Sequence, residues 1–227
     1  MGVAPLRPDA VVGDILDAMV DTAGTEPRRR GRPPASDSAD TRRAIIDNAR
    51  RLFAEGGYGA VTNKEVAAAS GITTGALYHY VESKLDLYVE VHREMQRHVY
   101  GQFVEAVESS DTFLGQLEGV LEAAHRLNEE DPTLAMFVGT VRTDMRRFPE
   151  IADRLERSVV QRDAFFTSIV DAGIASGEVR PCDQAMVAEF IRVMLIGLTE
   201  GVSETTRQHR LAIDAIRALL RGELIAR

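Results

Sequence analysis

The chain has 227 residues, of which 44% are hydrophobic and 27% charged, and a formal net charge of −8. That balance describes a globular protein with room for a small module and a larger one, and excludes a disordered or fibrous chain. The apolar run FIRVMLIGL is interrupted by Arg192, so no membrane-spanning segment is expected. The N-terminus lacks the basic flank and unbroken apolar core of a secretory signal. One cysteine, Cys182, rules out an internal disulfide and fits a reducing, cytoplasmic setting.

Residues 1–36 form an extension ahead of the first strong helical pattern. The stretch VVGDILDAMV within it is amphipathic but too short to hold a helix alone in water. PRRRGRPP follows, at residues 27–34. Its core, Arg30-Gly31-Arg32-Pro33, resembles an AT-hook, in which two arginines lie along a narrow A·T-rich minor groove and glycine lets the backbone reach the groove floor. The other reading is a basic linker that binds phosphates without sequence preference. Either adds affinity by releasing counterions.

Arg28, Arg29, Arg30, Arg32, Arg42, Arg43, Arg50 and Arg51 crowd one segment, opposed there by Asp37, Asp40 and Asp47. The negative total therefore hides a basic N-terminal part on an acidic body, the layout expected of a nucleic-acid reader. A first helix is predicted from about Ser38 to Ala54 or Glu55, with Ile45, Ile46, Ala49, Leu52 and Phe53 inward, stopped by Gly56-Gly57.

Residues 62–84 read TNKEVAAASGITTGALYHYVESK. A helix over Thr62–Ser70, a glycine turn at Gly71-Ile72 and a short helix from Thr73 to about Tyr80 form a helix-turn-helix. Thr62 and Thr73 can cap the two helices through their hydroxyls. Val66 and Ala67 give the small apolar face a close crossing needs. Gly71 supplies a positive-φ corner that other residues adopt only at a cost.

This window resembles the tetracycline-repressor (TetR) family of transcriptional regulators. LYHYVESKLDLY (77–88) is similar to that family's aromatic pair, short turn and helix-opening lysine, and ARRLFAEGGYGAVT (49–62) to its first helix and Gly-Tyr turn. The specific likeness covers roughly residues 40–90. It implies phosphate contacts from Thr62, Tyr78, Tyr80 and Lys84, with His79 at the surface beside them. Base edges would fall to Asn63, Lys64, Thr73, Thr74, Gly75 and Ala76. The recognition helix contains no Arg, Lys, Asn or Gln, the side chains of bidentate readout. Specificity is therefore expected from Lys64, Asn63, thymine-methyl packing and DNA shape.

Beyond Ser83 every segment reads as helix, so the fold class is all-α. Its expected parts are an extension (1–36), a three-helix helix-turn-helix domain (37–84) and a larger helical effector-binding and dimerisation domain (85–227). Breaks fall near Ser109-Ser110-Asp111, Asp131-Pro132, Phe148-Pro149, Gly177 and Pro181. The last two helices carry apolar stripes: Met186, Phe190, Met194, Gly197 and Gly201 on one, Ile216 and Leu219 on the other. The stripes read as a dimer face or as internal core, and the resemblance implies an intermolecular four-helix bundle. Residues 85–176 are expected to enclose a pocket, with Phe103, Leu121, Phe137, Val141, Phe166 and Val170 as candidate wall residues. Polar side chains in that zone, His125, Asn128, Arg142 and Asp144 among them, either orient a ligand or face solvent.

No phosphate loop, serine elbow or carboxylate pair points to an enzyme. His92, His98 and His125 lack partners at metal-ligand spacing, so neither a metal nor another cofactor is expected. The expectation is a homodimeric repressor on a palindromic operator, released by a small apolar effector of lipid, fatty-acyl or drug-like kind. The alternatives are an architectural or effector-independent DNA binder, or an activator of the same fold.

Overall fold

The computed structural model describes residues 35–201 and 206–224, and among these the regular structure is helical. The arm with Arg30 and Arg32 lies outside the described residues. Helix α1 (Ala35–Ala60) is broken at Gly57, whose backbone (φ 73°, ψ 168°) is open only to glycine at low cost. The expected stop is thus a kink, and one further turn leads into Val61. Helix α2 (Asn63–Ala69) and the single turn α3 (Thr74–Leu77) complete the reader. The recognition helix is shorter than its sequence pattern suggests, since residues 78–80 continue as turns.

The body comprises α4 (Lys84–Glu108), α5 (Phe113–Glu130), α6 (Pro132–Arg147), α7 (Pro149–Ser176), a 3-10 turn at Pro181–Asp183, α8 (Gln184–Gly201) and α9 (Thr206–Leu220). Most of its starts are written in the sequence. Ser83, Thr112 and Asp131 each accept a hydrogen bond from a backbone N–H in the first turn of α4, α5 and α6. Pro132 and Pro149 occupy first-turn positions where no N–H is needed. Gly177, at φ 83°, ends α7 in the left-handed region.

Reader and body share one continuous apolar core. At the junction Phe53 of α1 packs edge-on against Tyr88 of α4 at 4.9 Å and beside Phe137 of α6 at 6.5 Å. Tyr58 adds contacts to Tyr88 and to Phe148 at 5.3 and 5.2 Å. A second aromatic group, Tyr100, Phe103, Phe165 and Phe166, joins α4 to α7.

Candidate DNA-reading surface and effector cavity

Local hydrogen bonds fix the reader. Thr62 Oγ1 accepts from the Glu65 N–H at 3.3 Å, and the Glu65 carboxylate accepts from the Thr62 N–H at 2.8 Å. This reciprocal box holds the start of α2 and keeps the Glu65 carboxyl below its usual range through the Thr62 bonds. Thr73 Oγ1 accepts from the Ala76 N–H at 3.1 Å and sets α3. Gly71 turns the corner at φ 68°, with the Ile72 N–H returning to the Ala67 carbonyl at 3.0 Å.

Lys64, Thr73, Gly75, Tyr78 and His79 are exposed, and Asn63, Thr74, Ala76 and Tyr80 partly so. Asn63 Nδ2 donates to the Tyr78 hydroxyl at 3.2 Å, so a base-edge candidate and a phosphate candidate brace each other across the motif. The Thr62 hydroxyl also donates to the Glu65 carboxylate at 2.8 Å.

Two cations expected at the DNA side have inward engagements. Lys84 Nζ donates to the Tyr58 and Val61 carbonyls at 2.8 and 3.1 Å and lies 4.3 Å from the Tyr58 ring centroid. Two of its three donors thus close the end of α1, where helix carbonyls run short of partners. Arg50, one of the clustered arginines, is 7% exposed and pairs with Asp131 at 2.7 Å. It also donates to Thr133, and so ties α1 to the start of α6. Of that cluster, Arg43 and Arg51 stay exposed on α1, while Arg42 bonds Glu90 of α4 at 2.6 Å.

A second tie grips the other end of α6. Asp144, 3% exposed, accepts from the Tyr58 N–H at 2.8 Å and from the Tyr88 hydroxyl at 2.9 Å. Burial, reinforced by the Asp144 charge, pushes the Tyr88 phenol far above its ordinary value, so it remains a donor. Thr140 adds a bond to the Ala54 carbonyl at 3.0 Å. Helix α6 is therefore fastened to α1 along its length, and Asp144 serves that junction rather than a ligand or solvent.

The body holds a partly open cavity of about 180 Å³ among α4–α9. Of the residues offered as pocket walls, Phe103, Val141 and Phe166 line this cavity. Leu121, Phe137 and Val170 do not: each is fully buried against other side chains, Phe137 in the junction with Phe53 and Tyr88. A helical stripe marks burial, but not whether the buried face meets a neighbour or a void. Of the polar side chains that the sequence offered for orienting a ligand, Asn128 of α5 and Arg142 of α6 reach the cavity. Sequence reasoning missed His92, Gln96 and Tyr100, which recur every fourth residue along α4 and also line it. The available signal was that i, i+4, i+8 polar line beside the apolar Met95, Val99 and Phe103.

At the far side, Met186, Phe190 and Val193 of α8 and Leu211 and Leu219 of α9 are exposed, and Met194 and Ile216 half-buried. Phe190, Met194, Gly197 and Ile216 border a surface groove of about 540 Å³. Gly201 ends α8. His209 of α9 lines both this groove and the internal cavity. Its Nδ1 lies 3.0 Å from Nδ1 of the buried His125.

Among the described residues no helix is long and apolar enough to cross a membrane. Residues 45–91 match the family described as bacterial regulatory proteins, tetR family. The repressor KstR2 of Mycolicibacterium smegmatis is 26% identical over 158 residues, covering 69% of this chain and 77% of the relative. UidR of Escherichia coli K12, a transcriptional regulator, is 25% identical over 197 residues, covering 84% and 96%. In structure, GusR of Salmonella enterica superposes with a TM-score of 0.67 at 25% identity, over 82% of this chain and 95% of that one. FadR of Bacillus subtilis, solved with stearoyl-CoA, shares the fold at a TM-score of 0.62 and 18% identity, over 78% and 97%. Residues 45–91 thus carry the helix-turn-helix of the tetR family of bacterial regulatory proteins, and the chain as a whole is similar to TetR-family transcriptional regulators.

Proposed function

We propose that this protein is a ligand-responsive transcriptional repressor that binds a palindromic operator as a homodimer and is released by a small, largely apolar effector. The observation that carries this reading is an internal cavity whose walls include α4 and α6, the two body helices bonded to the reader. A change in the spacing of those helices has a direct path to α1. The cavity's 180 Å³ falls below the roughly 300–1,000 Å³ usual for ligand sites. An occupant must therefore widen it. That gives unequal affinity for the closed and widened forms, which any ligand control requires.

The exposed apolar face of α8 and α9 supports pairing with a second copy, since a patch of this kind on a soluble protein marks an interface. Two-fold pairing sets two readers against a palindrome, about 34–36 Å or slightly more apart. DNA contacts are assigned to Lys64, Asn63, Thr73, Thr74, Gly75, Ala76, Tyr78, His79 and Tyr80, with Thr62 and Lys84 in supporting positions.

The test is a titration of the full chain against DNA flanking its own gene, over a salt series with random DNA as competitor. A site preferred by about 1,000-fold or more supports a specific regulator. Release of that complex by a cell extract then supports effector control. Equal binding to both DNAs with one steep salt slope refutes the repressor reading in favour of an architectural role.

A further inference from the structure

The cavity is lined mainly by apolar side chains, yet one strip of its wall is polar. His92 on α4 and Asn128 on α5 are 7% and 3% exposed, and both line it. His92 Nδ1 and Asn128 Oδ1 are enclosed and have no hydrogen-bond partner among the described residues. An enclosed polar atom without a partner destabilises a fold, and a leucine or methionine at either position would avoid that loss. Both residues line the cavity, and an occupant that widens it would bring a polar group within reach of these atoms.

The polar strip carries dipoles rather than free charge. Burial, with Arg162 and Arg93 nearby, pushes the His92 imidazole down to about 4, so the ring is neutral at pH 7. A neutral ring has one N–H and one lone pair. Burial likewise raises the Tyr100 phenol, which stays protonated. The cations that reach the wall are already engaged. Arg162 bonds Asp163 at 2.8 and 3.0 Å, Arg192 bonds Glu189, and Arg142 donates to Thr199 at 3.5 Å. A carboxylate here would have to draw one of these guanidiniums from its present partner. A hydroxyl suits the wall better, because it donates and accepts at the same oxygen.

We propose that the cavity takes a neutral amphipathic molecule, an apolar body bearing a hydroxyl, with that hydroxyl bonded to Asn128 Oδ1 and to His92 Nδ1. The apolar body then lies along Val99, Phe103, Val138, Val141 and Phe166. This deepens the effector reading above and rests on it.

Calorimetric titration of the full chain, without DNA, with three probes of near-equal size tests the assignment. 1-Octanol donates and accepts, 1-methoxyheptane only accepts, and octanoate is charged. The expected result is that 1-octanol binds about tenfold or more tightly than the ether, because the ether leaves Asn128 Oδ1 unpaired. Octanoate should bind more weakly than the alcohol. In Asn128→Leu the alcohol should lose about tenfold while the ether holds or gains, and retained ether binding shows that the variant is folded. His92→Leu should act in the same direction. Equal binding of alcohol and ether by the native chain, tighter binding of octanoate, or no binding of any probe would overturn the proposal. Specific operator binding without selective alcohol binding removes this inference alone. Selective alcohol binding without operator preference removes the repressor reading alone.

Discussion

Replacing Asp144 with alanine tests how the reader is fixed to the body. Its carboxylate takes the Tyr58 N–H and the Tyr88 hydroxyl at 2.8 and 2.9 Å in a site 3% exposed. Hydrogen bonds to a charged group contribute about 1.5–3 kcal/mol each, and here a buried Tyr88 hydroxyl and a part-buried Tyr58 N–H would lose their acceptor. The expected loss for Asp144→Ala is therefore about 3–5 kcal/mol, a large share of the roughly 5–15 kcal/mol that holds a domain folded. For a chain of this length that lowers Tm by about 10 °C. Asp144→Asn keeps an oxygen in place and loses mainly the charge assistance, so its loss should be about 1–2 kcal/mol. Tyr88→Phe removes one donor and leaves the carboxylate the other. Urea unfolding of the single and double variants, read as a cycle, gives the coupling between positions 88 and 144. An Asp144→Ala variant within about 1 kcal/mol of the native chain would refute the clamp.

Four further outcomes follow from the same structure. Lys84→Met should lower Tm, by loss of its bonds to the Tyr58 and Val61 carbonyls, and leave the salt slope of DNA binding unchanged. A slope smaller by about one would show a phosphate contact instead, and the same titration on Lys64→Ala should cost about 1–3 kcal/mol on the true site but little on random DNA. The folded-state value of His92 is depressed to about 4, so the unfolded chain takes its proton first. Stability linked to this group is thus whole above about pH 6.5 and declines by about 3 kcal/mol as pH falls to about 4. His92→Gln should flatten that limb in urea midpoints taken from pH 7 to 4.5, and an unchanged limb would sink the assignment. Phe190→Glu puts a charge on the exposed α8 face and should raise the Kd of the proposed dimer by about 30-fold or more in sedimentation, whereas unaltered association would exclude that face.

The reader was legible because its determinants are local. Thr62, Gly71 and Thr73 act on backbone groups within a few residues, through caps and one positive φ, so sequence order alone places them. The helical body was legible for a similar reason: Ser109-Ser110-Asp111, Asp131, Pro132, Pro149 and Gly177 mark helix ends wherever the helices pack.

What the sequence by itself determined is thus the all-helical class, the helix-turn-helix and the apolar faces of α8 and α9. Tertiary structure alone decided which side of each buried stripe meets a cavity, so that Phe103, Val141 and Phe166 line it while Leu121, Phe137 and Val170 do not. It also turned Arg50 and Lys84 inward and set Asp144 against Tyr58 and Tyr88, residues 86 and 56 positions away in the chain. The physical reason is that a helical repeat encodes the direction a side chain faces on its own helix. The partner it meets depends on how separate helices dock, and no local pattern in the chain specifies that.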